Sequence, residues 1–245
     1  MNSLPFVFLG TRADDTVADG EYEAVRRFAG LTPESLLRVR LERESLPDFD
    51  LASISGFILG GGPFNVSDPA SSKSPEQVRV EAELDTLCRR VIEADFPFLG
   101  ACYGIGTLGV QCGGVVDRTY AEPVGAAPIT LTDEGVDDPL FGVLPRDFDA
   151  FLGHKEAVSR LPDGAVLLAS GRACPVQGFR LGRHVYATQF HPELDLEQLA
   201  LRVEVYRHHG YFAPEEGEAI VARAQAYDIT APPLLLRRFV ELHAR

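Results

Sequence analysis

Cys102 occupies a setting in which a cysteine can act as a nucleophile. An apolar run over residues 96–101 predicts a short buried strand, and Gly104 and Gly106 follow the cysteine closely. This layout predicts a sharp strand-to-helix turn with the thiol at its tip, because glycines permit close approaches that a β-carbon would obstruct. The unpaired N–H groups at the start of the next helix favour the thiolate, the form that attacks carbonyl carbons. A cysteine after a buried strand can also be a small core residue, so Cys102 needs a partner before it indicates catalysis.

A histidine and a carboxylate that could activate the thiol follow a later predicted strand. The sequence Gln189-Phe190-His191-Pro192-Glu193 places His191 just after that strand and Glu193 two residues further on. Such a pair suits a general base whose second ring nitrogen is held by an acid. In a parallel sheet, reactive residues gather beyond the carboxyl ends of the strands, where both Cys102 and His191 are predicted. For His-Pro-Glu taken alone, the alternative is a surface turn.

A run of glycines ends another predicted strand, where Gly60-Gly61-Gly62-Pro63 follows residues 55–59. Glycines let backbone N–H groups approach a reacting carbonyl oxygen. One of these glycines, together with the N–H of Tyr103 just after the cysteine, could therefore form an oxyanion hole. The run lacks the Gly-Lys-Ser/Thr ending of a phosphate-binding loop, and its alternative is a plain Gly-Pro turn.

Residues 104–109 also match a dinucleotide-binding pattern, since they spell G-x-G-x-x-G after a predicted strand. That strand is about the fourth in the chain rather than the first, and no acidic residue ends a clear next strand about 20 positions on. A dinucleotide site would also leave His191 and Glu193 unexplained. We therefore expect no nucleotide cofactor.

The composition restricts the class of protein. The chain has 245 residues, of which 45% are apolar and 24% charged, as in ordinary globular proteins. Its formal net charge of −13 argues against binding to nucleic acid or to an anionic membrane, since both need basic surface. Four cysteines without C-x-x-C spacing, no signal-peptide pattern and no long apolar run predict a cytoplasmic protein with free thiols and no metal site.

The order of predicted elements indicates an α/β fold. Strands and helices alternate up to Cys102, which predicts a mostly parallel central sheet with helices on both faces, and shorter strands after it predict an antiparallel addition. Predicted strands cover residues 5–10, 37–41, 55–59, 96–101, 115–116, 127–131, 148–152, 166–169, 176–179 and 184–190. Predicted helices cover residues 21–29 with Gly30 as a stop, 75–94 with Ser74 as a cap, 194–208, 214–227 and 233–243.

Taken together, these motifs resemble the glutaminase domain of the class I glutamine amidotransferases. The family pattern G-x-C-x-G-x-Q appears as residues 100–106, its G-G-P as residues 61–63 and its H-P-E as residues 191–193. Residues 153–158, 161–162 and 177–180 also resemble the segment before H-P-E in members of the GMP synthetase type. The resemblance extends over roughly residues 5–200, with the motifs in the family's order and spacing.

The resemblance implies a flavodoxin-like sheet and a triad of Cys102, His191 and Glu193. Cys102 would attack the side-chain amide of glutamine, release ammonia and form a γ-glutamyl thioester, which water activated by His191 would hydrolyse. Glu193 would orient His191, and the N–H groups of Gly62 and Tyr103 would form the oxyanion hole. The resemblance implies no cofactor.

The sequence departs from the family pattern at one position, because the Gln that ends the elbow motif is Gly106 here. In relatives that side chain helps to bind glutamine. We therefore expect either weak binding of free glutamine or a different γ-glutamyl substrate. Gly61 and His154 are the further candidates for contact with the substrate, and a purely structural role is the alternative for His154.

We expect a class I glutamine amidotransferase-like domain over residues 1–210 and a helical C-terminal extension over residues 211–245, packed on the same domain. Since no synthetase module follows, ammonia would go to a separate synthetase subunit, and a homodimer is a further option. Two alternatives use the same fold. One is a γ-glutamyl peptidase or hydrolase, favoured by Gly106; the other is a catalytically silent binding module, disfavoured because all triad positions are filled.

Overall fold

The computed structural model describes residues 4–208 and 210–245, and within these ranges the chain forms eleven strands and seven helices. The strands are β1 (Phe6–Gly10), β2 (Leu36–Arg40), β3 (Gly56–Leu59), β4 (Phe98–Ala101), β5 (Val115–Asp117), β6 (Glu122–Leu131), β7 (Asp147–His154), β8 (Ala157–Arg160), β9 (Val166–Gly171), β10 (Gly178–Leu181) and β11 (Val185–Thr188). The helices are α1 (Asp15–Ala29), α2 (Pro75–Glu93), α3 (Tyr103–Gly109), α4 (Asp133–Val136), α5 (Leu196–Val205), α6 (Gly217–Ala224) and α7 (Leu234–His243).

Five neighbouring parallel strands form one half of a nine-stranded sheet, in the order β2-β1-β3-β4-β11. β1, β3, β4 and β11 are buried along their whole lengths, as expected for strands that helices cover on both faces. In β1, Val7 and Leu9 join the core on one face, whereas Phe6 and Phe8 join the core on the other. This order is that of flavodoxin-like sheets, and the predicted fold class is confirmed.

The other half of the sheet continues as β10-β9-β6-β7, and these strands pair antiparallel to one another and to β11. β5 and β8 form a separate two-stranded antiparallel ribbon. The predicted antiparallel addition is therefore confirmed. β8 was not predicted, and the other strands of this addition differ in extent from the prediction, most clearly in two cases. β6 begins at residue 122 rather than 127, and β10 covers residues 178–181 rather than 176–179. Pro123 and Gly125 are unfavourable inside a strand, so the sequence pattern did not predict one there. β6 accommodates them with a register irregularity between Glu122 and Gly125.

Local capping explains where the first helices begin and end. Ser74 accepts a hydrogen bond from the backbone N–H of Gln77 and Pro75 opens α2, as predicted. Gly30 ends α1 with a left-handed φ of 70°, also as predicted. α1 begins at residue 15 rather than 21, because the Asp14 carboxylate caps the N–H of Val17. The charged residues and the glycine at position 20 conceal this first turn in the sequence. α5 is shorter than the predicted helix over residues 194–208.

The C-terminal helices pack against the sheet and the first helix. In α7, Leu235, Leu236 and Phe239 are buried in the same core as Phe6 of β1, and the Phe239 and Phe6 ring centroids lie 5.9 Å apart. The Leu4 N–H donates a hydrogen bond to the Arg245 carbonyl oxygen at 2.6 Å, which fixes the two ends of the described chain together. The boundary after residue 210 stays a prediction. Among the described helices, none has the length and apolar character needed to cross a membrane.

Replacing Phe239 by alanine should destabilise the protein by about 3–5 kcal/mol, because it empties a fully buried site between α7 and β1. Leu234 offers a matched control on the same helix, since it is 40% exposed. L234A should change the free energy of unfolding by less than about 1 kcal/mol. Denaturant unfolding of both variants tests this, and equal effects would mean that α7 does not dock as described.

Candidate active site

The register between β4 and β11 brings the two halves of the predicted triad together. These strands are parallel neighbours, with Ala101 opposite Thr188. Cys102 follows Ala101 directly, and its backbone N–H donates to the Thr188 carbonyl oxygen at 2.8 Å. His191 comes three residues after Thr188 at the same edge of the sheet, where its N–H donates to the Phe151 carbonyl oxygen of β7 at 3.0 Å. Residues 89 positions apart in the chain therefore meet at one carboxyl edge, as 191 − 102 = 89.

Cys102 has a strained backbone. Its φ of 53° and ψ of −93° lie in a region that L-residues other than glycine seldom occupy, at a typical cost of about 1–3 kcal/mol. Close backbone packing holds it there, since a Cβ added at Gly100 would lie 2.9 Å from the backbone of Gly104. Cys102 remains partly exposed, in contrast to the buried Cys88 and Cys174. The predicted strand-to-helix elbow is present, and it directs the thiol out of the core.

His191 is held between a carboxylate and the thiol. Its Nδ1 lies 2.8 Å from the Glu193 Oε1, so Nδ1–H donates to Glu193 and Nε2 is left to exchange a proton. Burial acts to lower the pKa of His191. The Glu193 carboxylate and the Cys102 sulfur oppose this by charge and by hydrogen bonding, and they raise that pKa to about 9. The geometry therefore favours an imidazolium beside the sulfur.

Glu193 has a second cationic neighbour that the sequence motifs did not reveal. The Arg202 guanidinium of α5 donates from Nη2 to Glu193 Oε1 at 2.9 Å, and its Nη1 lies 3.2 Å from Nδ1 of His191. Burial acts to raise the pKa of Glu193, but His191 and then Arg202 lower it well below its usual range. Glu193 is therefore an anion that can hold an imidazolium.

Two further charged residues continue this cluster into α1. Arg202 Nη2 lies 3.3 Å from Glu21 Oε1, and Arg12 Nε donates to the same oxygen at 2.9 Å. These side chains are buried, so each charge requires a partner of opposite sign. The two arginines balance the two glutamates, so these four side chains together carry no net charge. Of Arg12, Glu21 and Arg202, only Arg12 could have been placed near the site from the sequence, because it lies just beyond the carboxyl end of β1.

The glycines after β3 lie where no side chain would fit. A Cβ added at Gly61 would lie 2.6 Å from Cε1 of His191, and one added at Gly62 would lie 1.9 Å from Oγ1 of Thr11. The Thr11 hydroxyl donates to the Gly61 carbonyl oxygen at 3.2 Å and fixes this turn. Tyr103 is the first residue of α3, directly after the thiol. The roles of Gly62 and Tyr103 as oxyanion donors, and of Gly61 in binding substrate, stay predictions.

Gly106 faces a carboxylate. A Cβ added at Gly106 would lie 3.1 Å from Oε1 of Glu156. The two Glu156 oxygens accept hydrogen bonds from the backbone N–H groups of Val66 and Ser67, both at 2.8 Å. Burial, the largest cause, raises the pKa of Glu156 above its ordinary value. A longer side chain at position 106 would therefore have to displace a carboxylate that already holds the loop beside the glycine run. Binding of substrate at Gly106 stays a prediction.

His154 uses both ring nitrogens within the protein. Its Nδ1 lies 2.8 Å from the Glu156 carbonyl oxygen and its Nε2 lies 3.0 Å from Oε2 of Glu122. The Glu122 carboxylate also accepts a hydrogen bond from Gln177 Nε2 at 2.6 Å. The ring lines a cavity beside Cys102, so it could still touch a substrate with its edge. Its role in substrate binding stays a prediction.

Among the described residues, two clusters each bring three potential metal ligands within 4.8 Å of one another. The first consists of Glu122, His154 and Cys174, and the second of Glu21, His191 and Glu193. In both clusters a histidine nitrogen already hydrogen-bonds a carboxylate. A metal ion would have to break these bonds. The expectation of no metal stays a prediction.

Two cavities meet at Cys102, and Gly62, Gly153 and Tyr211 also line both of them. The polar chamber has about 300 Å³ of space, including its open mouth. Its other lining residues are Phe64, Asn65, Tyr103, His154, Lys155, Glu156 and Gln189. The apolar chamber has about 520 Å³ by the same measure. Its other lining residues are Arg12, Val124, Leu152, His191, Leu194, Leu199, Arg202, Val203, Tyr206 and Phe212.

Comparison with known proteins identifies the family. The model of the family "Glutamine amidotransferase class-I" matches residues 35–205. The chain therefore belongs to the class I glutamine amidotransferases, as its motifs predicted.

Individual relatives agree with this assignment. A glutamine-hydrolyzing GMP synthase of Mannheimia succiniciproducens is 32% identical over 146 residues, which are 57% of this chain and 25% of the relative. One of Thermosipho africanus is 29% identical over 153 residues, which are 62% of this chain and 26% of the relative. The chain thus spans about a quarter of the length of these curated relatives.

Solved structures share the fold over nearly the whole chain. A glutamine amidotransferase of Thermotoga maritima superimposes with a TM-score of 0.76 at 18% identity and covers 98% of both chains. A glutamine amidotransferase of Methylobacillus flagellatus gives a TM-score of 0.75 at 17% identity and covers 100% of this chain and 97% of the other. At these identities the likeness establishes the fold alone.

Removing one charge of the buried cluster should cost more than removing a balanced pair. R202M leaves Glu193 and Glu21 without a shared cation and should destabilise the protein by about 3–5 kcal/mol. E21Q should also destabilise it, since it leaves an excess of positive charge. The double variant R202M/E21Q should lose at least about 1 kcal/mol less than the sum of the single losses. Urea unfolding of all three variants measures this coupling.

An exposed ion pair on α7 provides the control for this cycle. Arg237 and Glu241 are 73% and 49% exposed, so R237M should cost less than about 1 kcal/mol. Additive losses in R202M/E21Q would show that Arg202 and Glu21 do not compensate each other in the folded protein.

The raised pKa of His191 predicts a pH-dependent stability. This pKa is about 9 in the folded protein and 6.5 ordinarily, so its stabilisation is fully present below about pH 6.5 and is lost as the pH rises through 9. The difference in free energy of unfolding between wild type and H191Q should therefore shrink by about 3 kcal/mol over that range. Unfolding curves at pH 6, 7.5 and 9.5 check this. A difference that is constant or grows would contradict the predicted imidazolium.

Proposed function

We propose that the protein is a glutaminase with a Cys-His-Glu triad, which cleaves the side-chain amide of glutamine through a γ-glutamyl thioester on Cys102. The observation that carries the proposal is the meeting of Cys102, His191 and Glu193 at the carboxyl edge of the sheet. Membership in the amidotransferase family supports the same chemistry.

In the first half of the reaction, the Cys102 thiolate attacks the amide carbon. The oxygen becomes an anion, which the backbone N–H groups of Gly62 and Tyr103 stabilise; one such donor typically contributes about 3–4 kcal/mol to lowering the barrier. The His191 imidazolium then donates its Nε2 proton to the departing nitrogen, and ammonia leaves. Glu193 holds Nδ1–H through both steps, so that the ring keeps its orientation.

In the second half, neutral His191 takes a proton from water, and the resulting hydroxide adds to the thioester carbon. Collapse of this intermediate breaks the C–S bond and releases glutamate. The triad is then ready for another cycle. The contact between His191 and Glu193 supports the roles given to these two residues, and the oxyanion donors are assigned by their position in the chain.

We further propose that ammonia passes to a separate synthetase subunit. The curated relatives are named glutamine-hydrolyzing GMP synthases and are about four times as long as the segment they share with this chain. Their length supports an acceptor that the matched segment does not contain. This proposal includes glutamine as the substrate, a partner subunit and a cytoplasmic site of action. It also includes the option of a homodimer.

A γ-glutamyl hydrolase is the second candidate, and Gly106 favours it. Where the family pattern has a glutamine-binding Gln, this chain has a glycine packed against the Glu156 carboxylate. The same triad would then cleave another γ-glutamyl amide, and the amine rather than ammonia would be the product.

Labelling with 6-diazo-5-oxo-L-norleucine, an electrophilic glutamine analogue, tests the nucleophile. Peptide mapping should find the adduct on Cys102, and C102S should lose both the adduct and at least about 10³-fold in the rate of glutamate release. Cys112 is an exposed free cysteine, and C112S should retain both. An adduct elsewhere, or full activity in C102S, would exclude the proposed mechanism.

A further inference from the structure

Cys102 lies where the polar and the apolar chamber join. A substrate amide has one group on its carbonyl carbon and another on its nitrogen, and these two groups must point in different directions from the bond that Cys102 attacks. The acyl group and the departing nitrogen extend from the same carbonyl carbon. With Gly62, Cys102, Gly153 and Tyr211 shared by both cavities, one side of the substrate fits into each. The chemistry of the linings decides which side goes where.

The polar chamber suits the glutamyl group, whose α-ammonium and α-carboxylate both need partners. Gln189 is 1% exposed and lines this chamber, and its Oε1 has no hydrogen-bond partner within the protein. A buried acceptor without a partner is costly, so a donor from a ligand would stabilise it. Lys155 lies at the same chamber with its Nζ 4.3 Å from the ring centroid of Tyr211, and it offers a cation to a carboxylate.

The departing nitrogen then points into the apolar chamber. His191, which must protonate that nitrogen, is one of the residues that line the apolar chamber and is not among those that line the polar chamber. The proton donor and the space for the leaving group therefore lie on the same side of the thiol, as the reaction requires.

The apolar chamber is larger and less polar than ammonia needs. Aliphatic and aromatic side chains form most of its wall, and they are Val124, Leu152, Leu194, Leu199, Val203 and Phe212. Its charged groups other than the catalytic ring are the guanidinium groups of Arg12 and Arg202. An uncharged alkyl group would bury apolar surface here, whereas a cationic group would lose its hydration in a chamber that no carboxylate of the described residues lines.

We propose that the enzyme acts on secondary γ-glutamyl amides whose amine carries a short, uncharged alkyl group, which lies in the apolar chamber. This inference rests on the proposed triad chemistry and names the substrate class for it. The sulfur–carbon bond forms as the carbon–nitrogen bond breaks, and the nitrogen takes the His191 proton and leaves as a primary amine. Water then replaces sulfur on the carbonyl carbon and returns a proton to the site. The sum is amide plus water to glutamate plus amine.

The test measures kcat/KM for glutamate release from glutamine and from its N-methyl, N-ethyl, N-propyl and N-butyl derivatives. Each methylene should raise kcat/KM by about fourfold until the chamber is full, as expected for burying one methylene group. The N-(4-aminobutyl) derivative has a similar length but a positive charge, and its kcat/KM should fall at least about tenfold below that of the N-butyl derivative.

Two variants connect the preference to the chamber. V203F fills it and should lower the ratio of kcat/KM for N-propylglutamine to that for glutamine at least about tenfold. Since a larger side chain at a buried position can prevent folding, F212A provides an independent check. Phe212 is only half-buried, and its truncation should move the optimum to a longer alkyl group. Val136 is 42% exposed and does not line the chamber, so V136F should leave the ratio unchanged.

The outcomes separate this inference from the function on which it rests. If glutamine is hydrolysed and Cys102 is labelled, but kcat/KM falls with each added methylene, the alkyl-amide substrate class is wrong and the glutaminase stands. If V203F and V136F change the ratio equally, the chamber does not hold the leaving group. If no compound releases glutamate and Cys102 is not labelled, both proposals are wrong.

Discussion

The hydrogen bond between His191 and Glu193 depends on a balance of buried charge, and the chemistry of the site depends on that bond. Glu193 is 1% exposed, and an ionised carboxylate is stable in such surroundings only with cations and hydrogen-bond donors around it. His191 and Arg202 provide them, Glu21 offsets Arg202, and Arg12 offsets Glu21. The alternation of signs allows an imidazolium to lie in the interior, with each charge of the cluster beside one of opposite sign.

The sheet determines where this cluster can form. Parallel neighbours such as β4 and β11 end at the same edge, so residues that directly follow them meet without long connecting loops. The strain at Cys102 follows from the same arrangement, because the chain must reverse from β4 into α3 within one residue. Close packing of Gly100 on Gly104 and the hydrogen bond from Cys102 to Thr188 offset that strain. The fold thus fixes the proposed nucleophile before any substrate binds.

The parts of the site that could be predicted have local signals in the sequence. Each of the three motifs lies at a predicted strand end: the elbow around Cys102, the His-Pro-Glu segment and the glycine run. The order of the strands followed from apolar runs and helical periodicity. Arg202 and Glu21 have no such signal, because they are ordinary charged residues on helices until tertiary structure turns them inward. The early start of α1 and the length of β6 were missed for a related reason: local breakers at Gly20 and Pro123 are tolerated in packed elements.

The C-terminal segment completes the site that the sheet begins. Tyr206, Tyr211 and Phe212 line the apolar chamber, and burial, followed by the charge of Cys102, raises the pKa of Tyr211 to about 12. The Tyr211 hydroxyl is therefore neutral beside the Cys102 sulfur and adds no competing charge. This wall also constrains the order of events. In the proposed mechanism His191 is first an acid toward the leaving nitrogen and then a base toward water, so both must occupy the same side of the thioester. If the apolar chamber holds the leaving group as proposed, it must empty before water can take that place, and a leaving group that filled it would protect the thioester until it had departed.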